Sequence, residues 1–455
     1  MTQVEELARF VEGASYEDLS QEAVRELKVR ILDALGCAIG ALDGEPVRKI
    51  RAEIEEFGGN PLATMIGGGR TAPDRAAFYN GALVRYLDYN DSFLAPGETC
   101  HPSDNLGAVL SAAEYAGRTG RDLLVALAVA YQVQCRLSEV APVRARGFDH
   151  TTQGAYAAAA GVAKALGLDA KRIANAVAIS GTANNALRVT RTGALSNWKG
   201  LAYPNTGFMA AHAAFLAARG ITGPPEVFEG NKGFMDAIAG RFDAGWADQD
   251  LELVRRTIVK KYNAEIHSQS ALEGILELRE EHGIDAGDVE SVELETFDVA
   301  YNIIGGGEEG EKKTVRTKEE ADHSLPYLLA VALLDGEVYP AQYRPERIVA
   351  KDVQDLLKRV EVRPADDLSA RFPGEMPARL RVRLRGGKVL EKEKSDYEGF
   401  FTRPISWERA QEKFERLAEP HADSRLREEI SEVVRRLEDI EVGELARLLA
   451  RTGKL

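Results

Sequence analysis

Cysteine is scarce in this chain: only Cys37, Cys100 and Cys135 occur among 455 residues. Three cysteines without a C-x-x-C pair argue against a disulfide framework or an iron–sulfur cluster, and they favour a reducing compartment. Uninterrupted apolar runs of about 18 residues, the length that spans a bilayer, are also missing. The N-terminal stretch MTQVEELARF has no basic region of the kind that begins a signal peptide. We therefore expect a cytoplasmic protein with no membrane partner.

Basic charge is in deficit as well. The sequence has 58 Lys and Arg against 72 Asp and Glu, which gives a formal net charge of −14. Phosphate contacts need a basic surface, so a nucleic-acid partner is disfavoured. A small anionic substrate remains compatible with this charge, but it would need a locally cationic pocket against the field of the whole protein.

Helical periodicity dominates the sequence up to about residue 260. The stretch LSQEAVRELKVRILDALGCAIGAL places apolar residues at helical spacing, and Ser20 precedes them as a candidate N-cap. The pattern then changes, because VESVELETF alternates with period two as a half-buried strand does. The stretch RLRVRLRGGKVLEKEK predicts a hairpin that turns at Gly386 and Gly387.

This order of patterns predicts a mainly α protein, with a large all-helical domain and an inserted smaller α+β lid domain. A chain of 455 residues is too long for one core, which also favours two or three domains. We place the first part of the helical domain at residues 1–267 and the α+β lid domain at residues 268–402. Residues 403–455 read as a C-terminal return to the helical domain.

The glycine-rich stretch GGGRTA begins at residue 67 and fits the loose dinucleotide pattern G-x-G-x-x-A. A nucleotide-binding fingerprint also needs a second buried strand that ends in an acidic residue about 20 residues on. Asp88 has that spacing, but we interpret RYLDYND as the continuation of a helix. The glycines are therefore interpreted as the turn of a short hairpin before this helix, and no nicotinamide binding is expected.

The stretch YLDYNDSFLAPGETCHPSDN, residues 86–105, concentrates titratable chemistry between two apolar helices. Its titratable carboxyl and imidazole groups belong to Asp88, Asp91, Glu98, His101 and Asp104. An imidazole exchanges protons near neutral pH, so the stretch is suited to acid–base catalysis. Cys100 and His101 are adjacent, which is poor geometry for two ligands of one metal ion, and no structural zinc is expected.

Three other histidines also stand at junctions between elements: His150, His267 and His323. A lone histidine is usually a satisfied polar residue, yet side chains at helix starts can meet in one pocket that favours anions. Basic residues occur in two polar stretches that flank the inferred domain boundary, where ligand sites are common. These are Arg188, Arg191 and Lys199, and then Lys260 and Lys261. Lysine and arginine side chains usually lie on the surface in contact with solvent. Together, however, these basic residues and the histidines suit proton transfer on a small polycarboxylate.

The same stretches resemble the MmgE/PrpD family. The resemblance spans nearly the whole chain and is carried by YLDYNDS, HPSDNLG, GFDHTTQG, LRVTR, NWKG, VFEGNKGF, KKYNAEIHSQSALEG and EADHSLPYLLAVALLDG. It implies a helical domain with a smaller α+β lid, a homodimer, and catalysis without metal or organic cofactor. Family members include 2-methylcitrate dehydratases, cis-aconitate decarboxylases and an iminodisuccinate epimerase, all of which shift protons on small polycarboxylates.

The resemblance also implies which residues form the active site. The matching positions are Asp88, Ser92, His101, His150, Lys199, Lys260 and Tyr327, with Glu265 and His267 close by. Ser92 replaces the usual threonine and retains its hydroxyl, and Asn263 stands where proline is common. Glu265 stands where decarboxylases tend to carry histidine. This residue and the nine-position spacing from Ser92 to His101 look like the dehydratases.

We therefore expect a hydro-lyase that dehydrates 2-methylcitrate or a citrate-like tricarboxylate without a cofactor. Decarboxylation of cis-aconitate and epimerisation of a small dicarboxylate are the alternatives. We assign catalysis to His101, Asp88, His150, Lys199 and Tyr327. We assign substrate binding to Ser92, Asn90, Arg188, Arg191, Lys260, Lys261, Glu265 and His267. Which histidine removes the proton and which donates one stays open.

Overall fold

Most of the chain is helical, as the sequence predicts. The computed structural model describes residues 1–193 and 195–453. The first of two units contains Met1–Thr190, Trp198–Ile258 and the chain from Ser406 onward. The second unit contains Arg191–Asn197 and Val259–Ile405. The role of a lid, expected for the α+β part, stays a prediction.

The first unit is built mainly from long helices with buried apolar faces. They are α1 (Gln3–Gly13), α2 (Gln21–Gly40), α3 (Glu45–Phe57), α4 (Pro73–Tyr86), α5 (Leu106–Tyr115), α6 (Gly120–Val140), α7 (Thr151–Leu166), α8 (Ala170–Ala183) and α9 (Trp198–Ala218). Ser20 is the N-cap of α2, as predicted, because its Oγ accepts a hydrogen bond from the Ala23 N–H. Helices α4 and α5 approach closely, since a Cβ on Gly107 would lie 2.4 Å from the Gly81 nitrogen. Only glycine permits this contact.

Two short hairpins interrupt the helices. The first unit was expected to be all-helical, and in this respect it differs from the prediction. Strands β1 (Ala63–Thr64) and β2 (Arg70–Thr71) pair antiparallel around the predicted glycine turn, whose glycines have positive φ. Strands β3 (Phe93–Ala95) and β4 (Glu98–Cys100) pair antiparallel directly before His101. The second hairpin folds the chain back on itself and positions His101.

A four-stranded sheet forms part of the second unit, in the order β6-β5-β7-β8. Its strands are β5 (Val289–Thr296), β6 (Val360–Pro364), β7 (Ala378–Leu384) and β8 (Val389–Lys394). Strand β5 buries alternate positions, and β7 and β8 form the predicted hairpin. Strand β6 pairs parallel with β5 and was not predicted, because only its first residue, Val360, is buried.

Helices of the second unit pack on this sheet and on one another. They are α10 (Gln269–His282), α11 (Asp298–Ala300), α12 (Lys318–Ala321), α13 (Leu325–Asp335), α14 (Pro345–Ile348), α15 (Lys351–Leu356) and α16 (Asp366–Ser369). Helix α10 lies against β7 and β8, and α13 lies against α10 and β6. A Cβ on Gly274 of α10 would lie 2.7 Å from the Leu380 side chain, so this glycine allows the close contact with β7.

The chain then returns to the first unit through α17 (Trp407–Ala418), α18 (Ser424–Arg435) and α19 (Val442–Leu449). Helix α17 packs closely on α2, where a Cβ on Gly36 would lie 3.0 Å from the Phe414 Cα. This contact brings a helix from late in the chain close to the candidate site.

Among the described residues, one helix is long and apolar enough to cross a membrane by length and composition. This is α6, and 83% of its most apolar window is buried inside the structure. Such burial is typical of a core helix in a globular unit.

Candidate active site

The chain leaves α4 sharply at the beginning of the predicted acid–base stretch. Helix α4 ends at Tyr86, so the interpretation of RYLDYND as continuing helix is wrong. Asp88 has a φ of 53°, in the left-handed region that non-glycine residues seldom adopt. Residues in such strained conformations persist where their surroundings hold them, and they concentrate at functional sites.

His101 lies against the chain on the other side of the β3–β4 hairpin. Its Nδ1 is 2.9 Å from the Asp91 carbonyl oxygen and 2.9 Å from the Ser92 Oγ. Ser92 exchanges two backbone hydrogen bonds with Ile258, each 2.8 Å long. The predicted hydroxyl at position 92 therefore contacts the imidazole that is our leading proton-transfer group.

His150 directly precedes α7 and lies beside His101. The two ring centroids are 5.4 Å apart, and the His150 ring also stacks at 6.1 Å on Tyr203. The His150 Nδ1 is 3.3 Å from one Asp149 oxygen, while Arg188 lies 3.9 Å from the other. The structure thus brings the two predicted imidazoles together and places predicted Arg188 behind one of them.

Asp88 and Lys199 form a buried ion pair. The Lys199 Nζ, in the first turn of α9, is 3.2 Å from the Asp88 Oδ2. The guanidinium of Arg85 contacts the other carboxylate oxygen, Oδ1. Both predicted residues are therefore in one cluster, in which two cations converge on one carboxylate.

Asn90 stabilises the loop between α4 and β3, residues 87–92, from within. Its amide group donates hydrogen bonds to the Ser103 Oγ and to an Asp104 carboxylate oxygen, each 2.8 Å long. Asp104 also faces Arg85 at 3.6 Å. Both amide hydrogens are used inside the protein, which leaves the expected substrate contact of Asn90 without a donor.

Asp91 is a buried carboxylate without a predicted catalytic or binding role. Its Oδ1 accepts a hydrogen bond from the Ser103 N–H at 2.9 Å, and its Oδ2 accepts one from the Tyr131 hydroxyl at 2.7 Å. Burial raises the pKa of Asp91, and the hydrogen bonds from Ser103 and Tyr131 offset only part of this effect. The carboxylate fastens the loop to α6.

A second missed group holds the same loop from α17. The Lys413 Nζ donates a hydrogen bond to the Tyr89 carbonyl at 2.7 Å and lies 3.5 Å from the centroid of the Tyr89 ring. It also pairs with Asp33 of α2 at 2.6 Å. Burial raises the pKa of Asp33, and Lys413 opposes that shift. A carboxylate among the buried residues of α2 was a sequence signal for this network.

The second unit has its own cluster of predicted residues. Glu265 accepts hydrogen bonds from the His267 N–H at 2.8 Å and from the His267 Nδ1 at 2.7 Å. Burial alone would raise the pKa of Glu265, but His267, His323 and Lys260 outweigh it and bring that pKa to about 2. Lys260 and His267 therefore act electrostatically on Glu265 within this unit, and their contact with a substrate stays a prediction.

His323, the fourth histidine at a junction, belongs to the same unit. Its Nδ1 is 2.6 Å from an Asp322 oxygen, and Lys318 lies 2.9 Å from the other. The Asp322 carbonyl accepts a hydrogen bond from the Glu265 N–H at 3.0 Å. This backbone contact links His323 to the Glu265 cluster.

Three other predicted residues of the second unit occupy different surroundings. Tyr327 lies in the hydrophobic core of this unit and its hydroxyl donates to the Gln342 carbonyl, so its expected catalytic role has no support here. Burial also raises the pKa of Tyr327. Lys261 pairs with Glu273 at 2.9 Å and with Glu398 at 3.0 Å, an ion-pair role in place of the expected substrate contact. Arg191 is buried, and its substrate contact stays a prediction.

The geometry of the first unit is suited to acid–base chemistry on an anion. Two imidazoles lie within 5.4 Å of each other, where one can accept a proton and the other can donate one. Lys199 and Arg188 place positive charge in the same unit despite the net charge of −14. Preorganised cations of this kind stabilise negative charge that develops on a substrate.

Family models match most of the chain. The MmgE/PrpD N-terminal domain matches residues 5–247, and the MmgE/PrpD C-terminal domain matches residues 262–439.

Individual relatives come from bacteria and from an animal. A 2-methylcitrate dehydratase of Salmonella typhimurium is 30% identical over 370 residues, which cover 76% of this chain and 74% of the relative. One from Cupriavidus necator is 29% identical over 400 residues, with coverages of 81% and 79%. A cis-aconitate decarboxylase of Mus musculus is 25% identical over 463 residues, with coverages of 96% and 91%. The relatives thus include two reaction types.

Proposed function

The chain belongs to the MmgE/PrpD family, and we propose that it is a lyase that dehydrates 2-methylcitrate or a citrate-like tricarboxylate. The products would be water and cis-2-methylaconitate or cis-aconitate. The observation that carries the proposal is the distance of 5.4 Å between the ring centroids of His101 and His150. The 2-methylcitrate dehydratases among the relatives support the choice of substrate.

Dehydration of a β-hydroxy acid sets three electrostatic tasks. A base must remove a weakly acidic C–H proton, the charge that develops near the adjacent carboxylate must be stabilised, and the departing hydroxyl must receive a proton. His101 and His150 are our two proton-transfer groups. Asp149 lies 3.3 Å from the His150 Nδ1 and favours the imidazolium form that a proton donor needs. We therefore assign proton donation to His150 and proton removal to His101.

Cationic side chains would hold the carboxylates of the substrate. Lys199 is our first candidate, because its ammonium is buried and oriented by Asp88. Arg188 is the second, since a guanidinium can bind a carboxylate through two hydrogen bonds. Ser92 contributes a hydroxyl 2.9 Å from the His101 imidazole.

The direct test is turnover of purified protein with racemic 2-methylcitrate, citrate and cis-aconitate in separate reactions. We expect a conjugated double bond to form from 2-methylcitrate or citrate, with release of one water for each product. His212 is exposed on α9, so His212→Ala is the matched control and should keep full turnover. Failure of the unaltered protein to act on either hydroxy acid would contradict the proposed reaction.

Decarboxylation of cis-aconitate is the second candidate, because the mouse relative carries that name and aligns over 96% of this chain. This reaction needs the same cationic side chains to bind the carboxylates, and it needs a group that donates a proton to a carbon atom of the substrate. Release of CO2 from cis-aconitate would favour it. Incorporation of deuterium from heavy water, without loss of water or CO2, would instead indicate an epimerase.

We also propose that the enzyme is a cytoplasmic homodimer that works without a metal. Activity should survive dialysis against a chelator, and light scattering should give twice the chain mass of 49.7 kDa. Loss of activity on chelation with recovery on adding a divalent metal, or a monomeric mass, would contradict these two parts.

A further inference from the structure

We propose that Asp91 and Tyr131 are positioning residues that make the Nε2 of His101 the nitrogen that exchanges a proton with the substrate. This inference rests on the proposed function for its catalytic consequence. Its structural part, the tautomer of His101, holds independently of which acid the enzyme turns over.

The tautomer follows from what surrounds the Nδ1 of His101. That nitrogen is 2.9 Å from the Asp91 carbonyl oxygen, which can accept a hydrogen bond but cannot donate one. The Nδ1 therefore carries the hydrogen, and the Ser92 Oγ, also 2.9 Å away, accepts a share of it. In the neutral ring the lone pair that takes up a proton is then on Nε2.

The Asp91 carbonyl stays in place because the side chain of the same residue is fastened at both oxygens. The Ser103 N–H donates to Oδ1 at 2.9 Å, and the Tyr131 hydroxyl of α6 donates to Oδ2 at 2.7 Å. Burial raises the pKa of Tyr131 well above its ordinary value, so its hydroxyl remains a donor. On the other side, the two backbone hydrogen bonds between Ser92 and Ile258 hold the next residue. A carbonyl between two such anchors has little room to turn away from the imidazole.

The Asp91 carboxylate belongs to the same residue whose carbonyl contacts the His101 ring. A carboxylate near an imidazole favours the protonated ring, so removal of this charge favours the neutral ring. Other titratable or charged groups stand on the elements that pack against residues 102–105. They include Arg30 and Asp33 on α2, Arg85 on α4, Cys135 on α6, His150 before α7, and Lys199 and Tyr203 on α9. Because substitution at Asp91 or Tyr131 leaves all of these in place, a change in the pH profile reports on the Asp91 carboxylate.

Two conservative variants test the positioning role in the proposed reaction. Asp91→Asn keeps the shape and removes the charge, and Tyr131→Phe keeps the ring and removes one donor. Loss of that donor leaves the buried carboxyl easier to protonate. We expect each variant to lower kcat about 10-fold and to move the limb of the pH–rate profile set by His101 to lower pH by about one unit. The double variant should move the limb no further, because the two groups act as one unit.

Tyr115→Phe is the matched control, since Tyr115 is 42% exposed at the end of α5. It should keep both kcat and the pH profile. If kcat falls equally at every pH in Asp91→Asn and Tyr131→Phe while the limb stays at the wild-type pH, both residues are merely structural and the positioning role is overturned.

A second measurement observes the His101 ring nitrogens directly by NMR. It needs neither enzyme activity nor a substitution at position 91 or 131. In protein labelled with 15N at histidine, the signal that disappears in His101→Ala identifies the His101 ring. Above its titration we expect Nε2 to show the chemical shift of an unprotonated ring nitrogen and Nδ1 that of a protonated one. The opposite assignment overturns the inference even if the enzyme is active. A protein inactive on every acid tested would instead refute the proposed function and leave this tautomer measurable.

Discussion

The imidazole rings of His101 and His150 lie 5.4 Å apart with their planes at 74°. Each ring belongs to the residue that precedes a helical segment, Pro102–Asn105 for His101 and α7 for His150. Helix α7 can approach α9 so closely because position 154 is glycine: a Cβ there would lie 2.4 Å from the Tyr203 ring, on which His150 stacks. This packing of α7 on α9 holds the His150 ring beside that of His101.

Removal of the first imidazole should abolish most of the turnover. His101→Ala is expected to lower kcat by at least about 10²-fold, the usual scale for a lost acid–base group. Circular dichroism and thermal unfolding should match the wild type, which separates catalysis from folding. With His212→Ala as the exposed control, unchanged turnover in a folded His101→Ala protein would remove the mechanism.

Arg191 should act mainly on affinity. If its guanidinium holds a carboxylate equally well in the ground state and the transition state, Arg191→Ala raises KM and leaves kcat nearly unchanged. Steady-state kinetics with the best substrate measure both constants. Arg172 is exposed on α8, and Arg172→Ala is the control that should change neither. A normal KM in Arg191→Ala would place Arg191 outside the substrate-binding residues.

Lys413→Met should destabilise the first unit strongly. The substitution leaves buried Asp33 without its ammonium partner and the Tyr89 carbonyl without its donor. Breaking a buried ion pair on one side costs about 3–5 kcal/mol of unfolding free energy. Urea denaturation measures the loss, and Lys49→Met, which removes an exposed pair with Glu45, is the control that should leave the urea midpoint nearly unchanged. Equal urea midpoints for Lys413→Met and the wild type would show that the buried pair has no net effect.

Glu265→Gln should remove part of the acid sensitivity of the second unit. The folded-state pKa of Glu265 is about 2, below its ordinary value of 4.5. A lowered carboxyl pKa contributes stability that is complete above pH 4.5 and is lost as the pH falls toward 2. The stability advantage of the wild type over the variant should therefore shrink by about 2 kcal/mol between pH 6 and pH 3, at about 1.36 kcal/mol per pKa unit.

Chemical denaturation at a series of pH values gives this difference. Glu290→Gln, an exposed position on β5, serves as the control and should show a constant difference over the same range. An advantage of the wild type that stays constant from pH 6 to pH 3 would mean that Glu265 is not the group that titrates.

Local patterns predicted those parts of the fold that depend on local physics. Period-two alternation identified β5, and the glycine pair identified the β7–β8 hairpin, because burial of one face and turn geometry leave marks in neighbouring residues. The end of α4 at Tyr86 left no such mark, and Pro96 and Gly97 mark only the turn of the β3–β4 hairpin and not its strands. There the chain follows contacts with distant residues, such as the pairing of Ser92 with Ile258, and the local helix signal is overridden.

Some residues of the candidate site were likewise predicted from local sequence, and others were not. His101 and His150 were predicted because histidines at helix starts are visible in one sequence, and Lys199 because it stands in a polar stretch. Tyr131 and Lys413 were not predicted, because each lies on a helix whose own pattern explains it. Their partners in the loop are 40 and 324 residues away, respectively. Tyr327 was carried over from the family resemblance, and its burial in the core of the second unit shows that a motif position does not by itself make a side chain accessible.

The hydrogen bond from Lys413 to Tyr89 has a consequence for the order of events on the ribosome. Because 324 residues separate donor and acceptor, translation at about 5–20 residues per second leaves the early loop unsecured for roughly half a minute. Asp33 is synthesised before Tyr89, so it waits longer for its counter-ion. A nascent chain can therefore assemble its first helices early, but the loop that contains Tyr89 is secured only once the late helix has emerged and docked.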